Sequence, residues 1–163
     1  MNLCGYSEWS GKLSEQFEIN RVASEELHDL RRRVLRSNDP AADVGDPRDA
    51  EATAEHYAGV LEGQVVVCAS VYPSSSPIHP DLRTYQLRYM ATDFAVQGRG
   101  LGAIVLTSIC GSLAGRGVQE VWANGRDTAL GFYQRLGWEM VPGSEHVSLY
   151  TQLPHTVIYK TLP

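Results

Sequence analysis

Residues 90–109 read MATDFAVQGRGLGAIVLTSI, and three alternating glycines, Gly98, Gly100 and Gly102, stand in it between two patterned segments. Upstream, TYQLRYMAT (Thr84 to Thr92) alternates, with Tyr85, Leu87, Tyr89 and Ala91 on one face and Gln86, Arg88, Met90 and Thr92 on the other, which predicts a strand. Downstream, Ile104, Val105, Leu106, Ile109, Cys110 and Leu113 predict a helix buried over a wide arc, with Gly115 and Gly117 available to end it. A strand, a glycine turn and a helix start present unpaired backbone N–H groups with the positive end of a helix dipole behind them. That is an anion site, and glycine suits it because it takes positive φ and has no Cβ to hold a ligand away.

The glycines alone leave the anion open. A nucleoside-triphosphate P-loop requires a lysine after them, and none follows. Gly98, Gly100 and Ala103 satisfy the dinucleotide fingerprint G-x-G-x-x-G/A. Its context is missing: the preceding strand carries Gln86 and Arg88, the next ends WANGR without an acidic residue, and too little chain remains for a second nucleotide-binding half. A tight turn that binds nothing is the third reading.

Working outward, FEINRVA reads as a strand, and Ser24 is placed to cap a helix over EELHDLRRRVLR. Glu25 and Glu26 in its first turn and Arg31, Arg32, Arg33 and Arg36 in later turns match the dipole, and the arginines read as a solvated face. Asn38 to Pro47 is an irregular connection, and RDAEATAE is expected to be a short helix after Pro47. HYAGVLEGQVVVCASVYP predicts a hairpin turning at Glu62-Gly63, with Val65 to Val71 buried on both faces. VQEVWAN predicts a strand, Asp127 or Thr128 a cap for the helix ALGFYQRL, Gly137 its end, and WEMV and HTVIYKT two closing strands.

The chain of 163 residues suits one domain, residues 1–163, with about the first 15 residues as a loosely ordered arm. A formal charge of -5 argues against a nucleic-acid backbone as partner and weakly favours a cationic amine. No stretch approaches the roughly 20 apolar residues of a membrane span, and no signal core opens the chain, so a cytoplasmic protein with no membrane partner is expected. Cys4, Cys68 and Cys110 lie far apart, the latter two in apolar runs, and the five histidines have no metal-ligand spacing, so no metal is expected.

Two motifs together resemble one family. MATDFAVQGRGLGAIVLTSI resembles the acetyl-CoA signature Q/R-x-x-G-x-G/A of the GNAT superfamily of N-acetyltransferases, supplied by Gln97, Gly100 and Gly102. RDTALGFYQRLGW, Arg126 to Trp138, looks like the second hallmark, an alanine-bearing helix with a tyrosine and then Leu-Gly-aromatic. The resemblance implies an α/β fold with a central mixed, mostly antiparallel, twisted sheet flanked by helices. It implies transfer of an acetyl group from acetyl-CoA, as co-substrate, to a primary amine of a small molecule or peptide by direct attack in a ternary complex. Met90, Ala91 and Thr92 would then pair with the pantetheine arm, although Thr92 stands where the family more often has a branched aliphatic residue. Gln97, Gly98, Arg99, Gly100, Leu101, Gly102 and Ala103 would meet the pyrophosphate, Asn124 the pantetheine, and Tyr133 the sulfur.

Tyr133 would act as general acid. Reference values of about 10 for tyrosine and about 8.5 for a thiol make that protonation uphill by roughly 2 kcal/mol, so the site must raise the thiol or lower the phenol. For the base or acceptor contact, His155 is the first candidate because histidine titrates near neutrality; Glu55, His56 and Arg88 are the others. A homodimer through the apolar final strands is allowed. The alternatives to catalysis are an acyl-CoA-binding module without turnover and, third, an enzyme using an NAD-type dinucleotide.

Overall fold

The computed structural model describes residues 16–163, so the expected amino-terminal arm lies outside the described residues, and Cys4 with it. Strand β1 (Phe17–Arg21) leads into helix α1 (residues 24–35), then come β2 (Glu55–Leu61), β3 (Gln64–Pro73) and β4 (Thr84–Thr92). Helix α2 (Leu101–Ala114) precedes β5 (Glu120–Arg126), helix α3 (Leu130–Arg135) follows it, and β6 (Glu139–Met140), β7 (His146–Val147) and β8 (Pro154–Thr161) close the chain. The strands form one sheet in the order β1-β2-β3-β4-β5-β8-β6, with β7 on β8. Among the described residues only β4 and β5 run parallel, so the expected mixed, mostly antiparallel sheet is present.

The β2–β3 hairpin turns where expected. Glu62 and Gly63 both take positive φ, 50° and 79°, the mirror-image turn whose twist matches the flanking strands. Val105, Ile109 and Leu113 of α2 are fully buried against Val67, Val71 and Val121 on one sheet face. On the other face Leu27 and Leu30 of α1 pack on Ala58, Cys68 and Ala91. Helix α2 ends at Gly117, at φ 80°, where the Val118 N–H returns to the Leu113 carbonyl at 3.1 Å.

Several local expectations are corrected. Ala23, not Ser24, precedes α1, and Glu26 caps it by accepting the Ala23 N–H at 3.3 Å; the buried Ser24 hydroxyl donates to Glu25. The helix opens as a 3-10 turn (Ser24–Leu27), makes one α turn (His28–Leu30) and widens to a π-helix (Arg31–Leu35). Its arginines are no solvated face. Arg31 is fully buried: it donates to the Val44 carbonyl at 2.8 Å, to Asp49 at 3.1 Å and to Ser70 at 2.7 Å, and it lies over the Tyr89 ring at 4.1 Å. Arg33 pairs with Asp29 and Asp93, both at 2.8 Å.

The helix expected after Pro47 is a chain of turns. Asp46 and Asp49 use their carboxylates on nearby N–H groups, Arg48 to Asp46 at 3.0 Å and Asp46 to Asp49 at 2.9 Å, and such bonds compete with the helical ladder. Neither Asp127 nor Thr128 caps α3: a 3-10 turn (Asp127–Ala129) feeds the helix without a side-chain cap, and Asp127 accepts from Thr156 instead.

The alternation of β4 also breaks. Val71 faces Leu87, Ser70 faces Arg88 and Cys68 faces Ala91, which leaves Tyr89 and Met90 together opposite Ala69. This is a β-bulge, and Tyr89 at φ 55° is its left-handed residue. Beyond it the faces exchange. Met90 joins Leu87 on the α2 side, whereas Ala91 packs with Leu27 and Leu30 on the α1 side.

Candidate active site

The parallel pairing of β4 and β5 is short: Thr84 faces Glu120, Tyr85 faces Val121, Gln86 faces Trp122, and no later pair follows. The twist of the sheet parts the two strands from Leu87 and Ala123 onward. Into this gap opens a cleft of about 1080 Å³, lined on one side by residues 86–92 and on the other by Ala123, Asn124 and Arg126. Its roof carries Phe132 and Tyr133, and its far wall Arg36 just past α1, residues 146–151 and His155. The strand edges of the gap have backbone groups free to bind an extended chain.

At the carboxyl end of β4 the loop is pinned from two sides. Asp93 accepts the Ala95 N–H at 3.0 Å and binds Arg33 of α1 at 2.8 Å, while Val96 is buried in the core. Gly98 and Gly100 stand at φ 80° and 79°. The Gln97 side chain folds back to donate to the Thr92 carbonyl at 3.0 Å. Among the described residues, none of the backbone N–H groups of residues 97–103 donates to another group of the chain; the first helical bond runs from Ile104 to Gly100. Gly102 seats the first turn of α2 on β4, because a Cβ there would stand 2.9 Å from Thr92 Oγ1 and 3.3 Å from Met90 Cε.

Tyr133 comes from the short helix α3, ended by Gly137 at φ 80°. Its ring is wedged edge-to-face between Phe132 and Trp138, with centroids 5.1 Å and 5.2 Å away. The residue is 7% exposed and lines the cleft, and its hydroxyl has no hydrogen bond among the described residues. Burial raises its pKa well above the usual tyrosine value. Asn124 is exposed in the same cleft, and Arg99 is exposed on the loop.

The four candidates for the base part company. His155 lines the cleft, and its Nδ1–H donates to the Leu153 carbonyl at 2.8 Å, so in the neutral ring Nε2 is the free acceptor. Burial lowers its pKa, with Arg126 and His146 acting in the same direction, and the basic form is therefore the one present at neutral pH. Glu55 lies elsewhere, bound by Arg116 at 2.7 and 3.1 Å and by Tyr57. His56 is buried beneath α1, between Ser70 at 2.8 Å and the Asp49 carbonyl at 3.2 Å, and lines a separate, smaller hollow. Arg88 lines the cleft but is a fixed cation paired with Asp46 at 2.6 Å, so it takes up no proton. Glu55 and His56 therefore have no place in this site.

Two cleft residues escaped the sequence reading, Arg36 and Arg126. The signal for Arg126 was strand alternation: carried two residues past Asn124, it puts Arg126 on the same face, directly opposite His155 of β8. Arg36 had no comparable signal, since its place depends on the π-helical end of α1.

Known proteins resemble this chain in sequence and in fold. The acetyltransferase (GNAT) family model matches residues 24–138. YitI of Bacillus subtilis (strain 168), an uncharacterised N-acetyltransferase, is 29% identical over 145 residues, covering 89% of this chain and 96% of that protein. Among solved structures, a candidate N-acetyltransferase from Lactobacillus plantarum has a TM-score of 0.75 at 21% identity, over 91% of this chain and 99% of that one. A GNAT family acetyltransferase from Elizabethkingia anophelis with acetyl-CoA bound has a TM-score of 0.62 at 13% identity, over 91% and 99% of the two chains. With both hallmark segments inside the matched region and placed around one cleft, the chain belongs to the acetyltransferase (GNAT) family.

Proposed function

We propose that this protein transfers an acetyl group from acetyl-CoA to a primary amine by direct attack in a ternary complex. The observation that carries the reading is the run of unpaired N–H groups over residues 97–103 at the foot of a strand gap whose roof holds an unbonded tyrosine hydroxyl. Residues present fit the coenzyme. The loop N–H groups and the α2 dipole suit a pyrophosphate, the open edge at Met90, Ala91 and Thr92 and the Asn124 side chain suit the amides of a pantetheine arm, and Gly102 keeps the helix start close to β4.

Acetyl-CoA supplies an acyl group activated by a thiol leaving group. The net change is one C–N bond formed and one C–S bond broken: an ammonium and the thioester give an amide, the free thiol and one proton. Tyr133 donates a hydrogen bond, and finally its proton, to the departing sulfur. The apolar surroundings that raise the Tyr133 phenol also raise a thiol beside it, so the mismatch of about 2 kcal/mol between their reference values does not widen in proportion. His155, with Nε2 free, takes the proton from the incoming amine.

Two measurements test the reading. Acetyl-CoA at about 100 times its Kd adds roughly 2.7 kcal/mol to stability, which is read as a raised thermal midpoint that NAD at the same concentration does not produce. Thiol release must then depend on added amine; stabilisation by acetyl-CoA without transfer to any amine would identify a binding module instead. Gly102→Val is expected to raise the acetyl-CoA KM by about tenfold or more, by pushing the N–H groups off their positions. An unchanged KM in that variant would remove the loop from the binding site.

A further inference from the structure

We infer that the amine acceptor carries a carboxylate, held between Arg36 and Arg126 at the α1 side of the cleft; this rests on the acyl-transfer reading above. The chain has 19 acidic against 14 basic residues, so an average surface patch is negative. The cleft reverses that balance. Four arginines line it, and no aspartate or glutamate does among the described residues. The acidic whole-chain charge pointed to a cationic partner, but the local charge that an acceptor meets has the opposite sign.

The arginines differ in how they are satisfied. Arg88 is neutralised by Asp46 at 2.6 Å, although that one carboxylate also serves Arg48 at 2.9 Å. Arg135 of α3 has no carboxylate within ion-pair distance among the described residues, and neither do Arg36 and Arg126. The latter two donate to the same backbone oxygen, the Leu35 carbonyl, Arg36 at 3.1 Å and Arg126 at 3.4 Å. Two guanidinium groups from different elements, one at the end of α1 and one at the end of β5, thus converge on a single neutral acceptor. Burial lowers the Arg36 pKa, and Arg126 and Arg88 push it the same way, against opposing pulls from Tyr89 and Asp43; the Asp43 carboxylate accepts the Gly45 N–H. Like charges brought together with most of their donors unused are unfavourable unless an anion completes them, and paired guanidinium forks match a carboxylate in geometry.

Placement separates this pair from the coenzyme loop. Arg36 and Arg126 meet at the Leu35 carbonyl, and among the described residues neither donates a hydrogen bond to any of residues 97–103. Arg126 stands directly across from His155, so a carboxylate on the arginines leaves an amine of the same molecule beside the free Nε2. The acceptor class is therefore an amino acid or a comparable amino-carboxylate.

The test measures thiol release from acetyl-CoA with each proteinogenic amino acid, its carboxamide, and spermidine. In the best pair the acid is expected to exceed its amide in kcat/KM on the order of 100-fold, the value of a charged hydrogen-bonded contact. Arg36→Gln and Arg126→Gln are each expected to shrink the acid-to-amide ratio about tenfold or more, and Arg126→Lys, which keeps the charge and loses the fork, by less. Amides or spermidine turning over as well as the acids would overturn this inference and leave acyl transfer standing. Variants that raise the acetyl-CoA KM while preserving the acid-to-amide ratio would assign the arginines to the coenzyme and overturn it as well. Absence of transfer to every amine would overturn the acyl-transfer reading itself, and the acceptor assignment with it.

Discussion

Tyr133→Phe is expected to lower kcat on the order of 100-fold or more while the acetyl-CoA KM stays within about twofold, the signature of a proton donor that acts only as the bond breaks. The substitution isolates that role well. The hydroxyl makes no hydrogen bond within the described chain, so its removal strands no partner, and the ring stays wedged between Phe132 and Trp138. The thermal midpoint should hardly move, which separates loss of chemistry from loss of fold. The pH profile adds a second readout. Burial holds the phenol protonated well past the ordinary tyrosine value of about 10, so an alkaline decline of kcat set near 10 would point to a different group. A variant that kept full turnover would end the general-acid assignment.

The largest loss of stability is expected from Arg31→Met. Removing one partner of a buried, hydrogen-bonded ion pair costs about 3–5 kcal/mol, because the other charge remains buried and uncompensated. Here three acceptors lose their donor together: the Asp49 carboxylate, the Ser70 hydroxyl and the Val44 carbonyl. Burial drives the Asp49 carboxyl up, but the Tyr72 hydroxyl, the Asp46 N–H and Arg31 outweigh it and hold its pKa below the usual value. A depressed carboxylate contributes stability that is present above its unfolded pKa and is lost as pH falls through the folded one. Without Arg31 the folded value rises, so acid unfolding should begin at higher pH in the variant. Chemical denaturation at neutral and acidic pH measures both effects; a loss under about 1 kcal/mol would mean that Arg31 is held by packing alone.

The contrast between Gly100 and Arg31 shows what a single sequence carries. Gly100, Gly102, Tyr133 and Gly137 were legible because their partners are near in the chain: the strand before, the helix after, the turn at the helix end. The hairpin at Glu62-Gly63 was legible for the same reason. Arg31 was read as solvated because its partners stand 13, 18 and 39 residues away, and a charged residue without visible partners is ordinarily exposed. The bulge at Tyr89 was hidden differently. Its left-handed φ falls on a tyrosine, where no glycine advertises it, and it inverts the faces of Met90 and Ala91 relative to strict alternation. His155 and Asn124, both expected at the site, line the cleft; Arg126, two positions from Asn124, also lines it but lies beyond the strand VQEVWAN that the sequence predicts. The charge of the whole chain does not describe the cleft, which arginines line and no aspartate or glutamate does among the described residues, since the sign of a site depends on which few side chains the fold turns inward.

The gap between β4 and β5 also bears on strand addition by other molecules. An unpaired strand edge is normally a template for a foreign strand and a starting point for aggregation. Here the exposed ladder groups beyond Gln86 are recessed behind α1 on one side and residues 146–151 on the other. A single thin polyamide chain can reach them, whereas the edge of a neighbouring sheet, with side chains on both faces, cannot. The walls of the cleft are also a steric guard against strand addition at this edge.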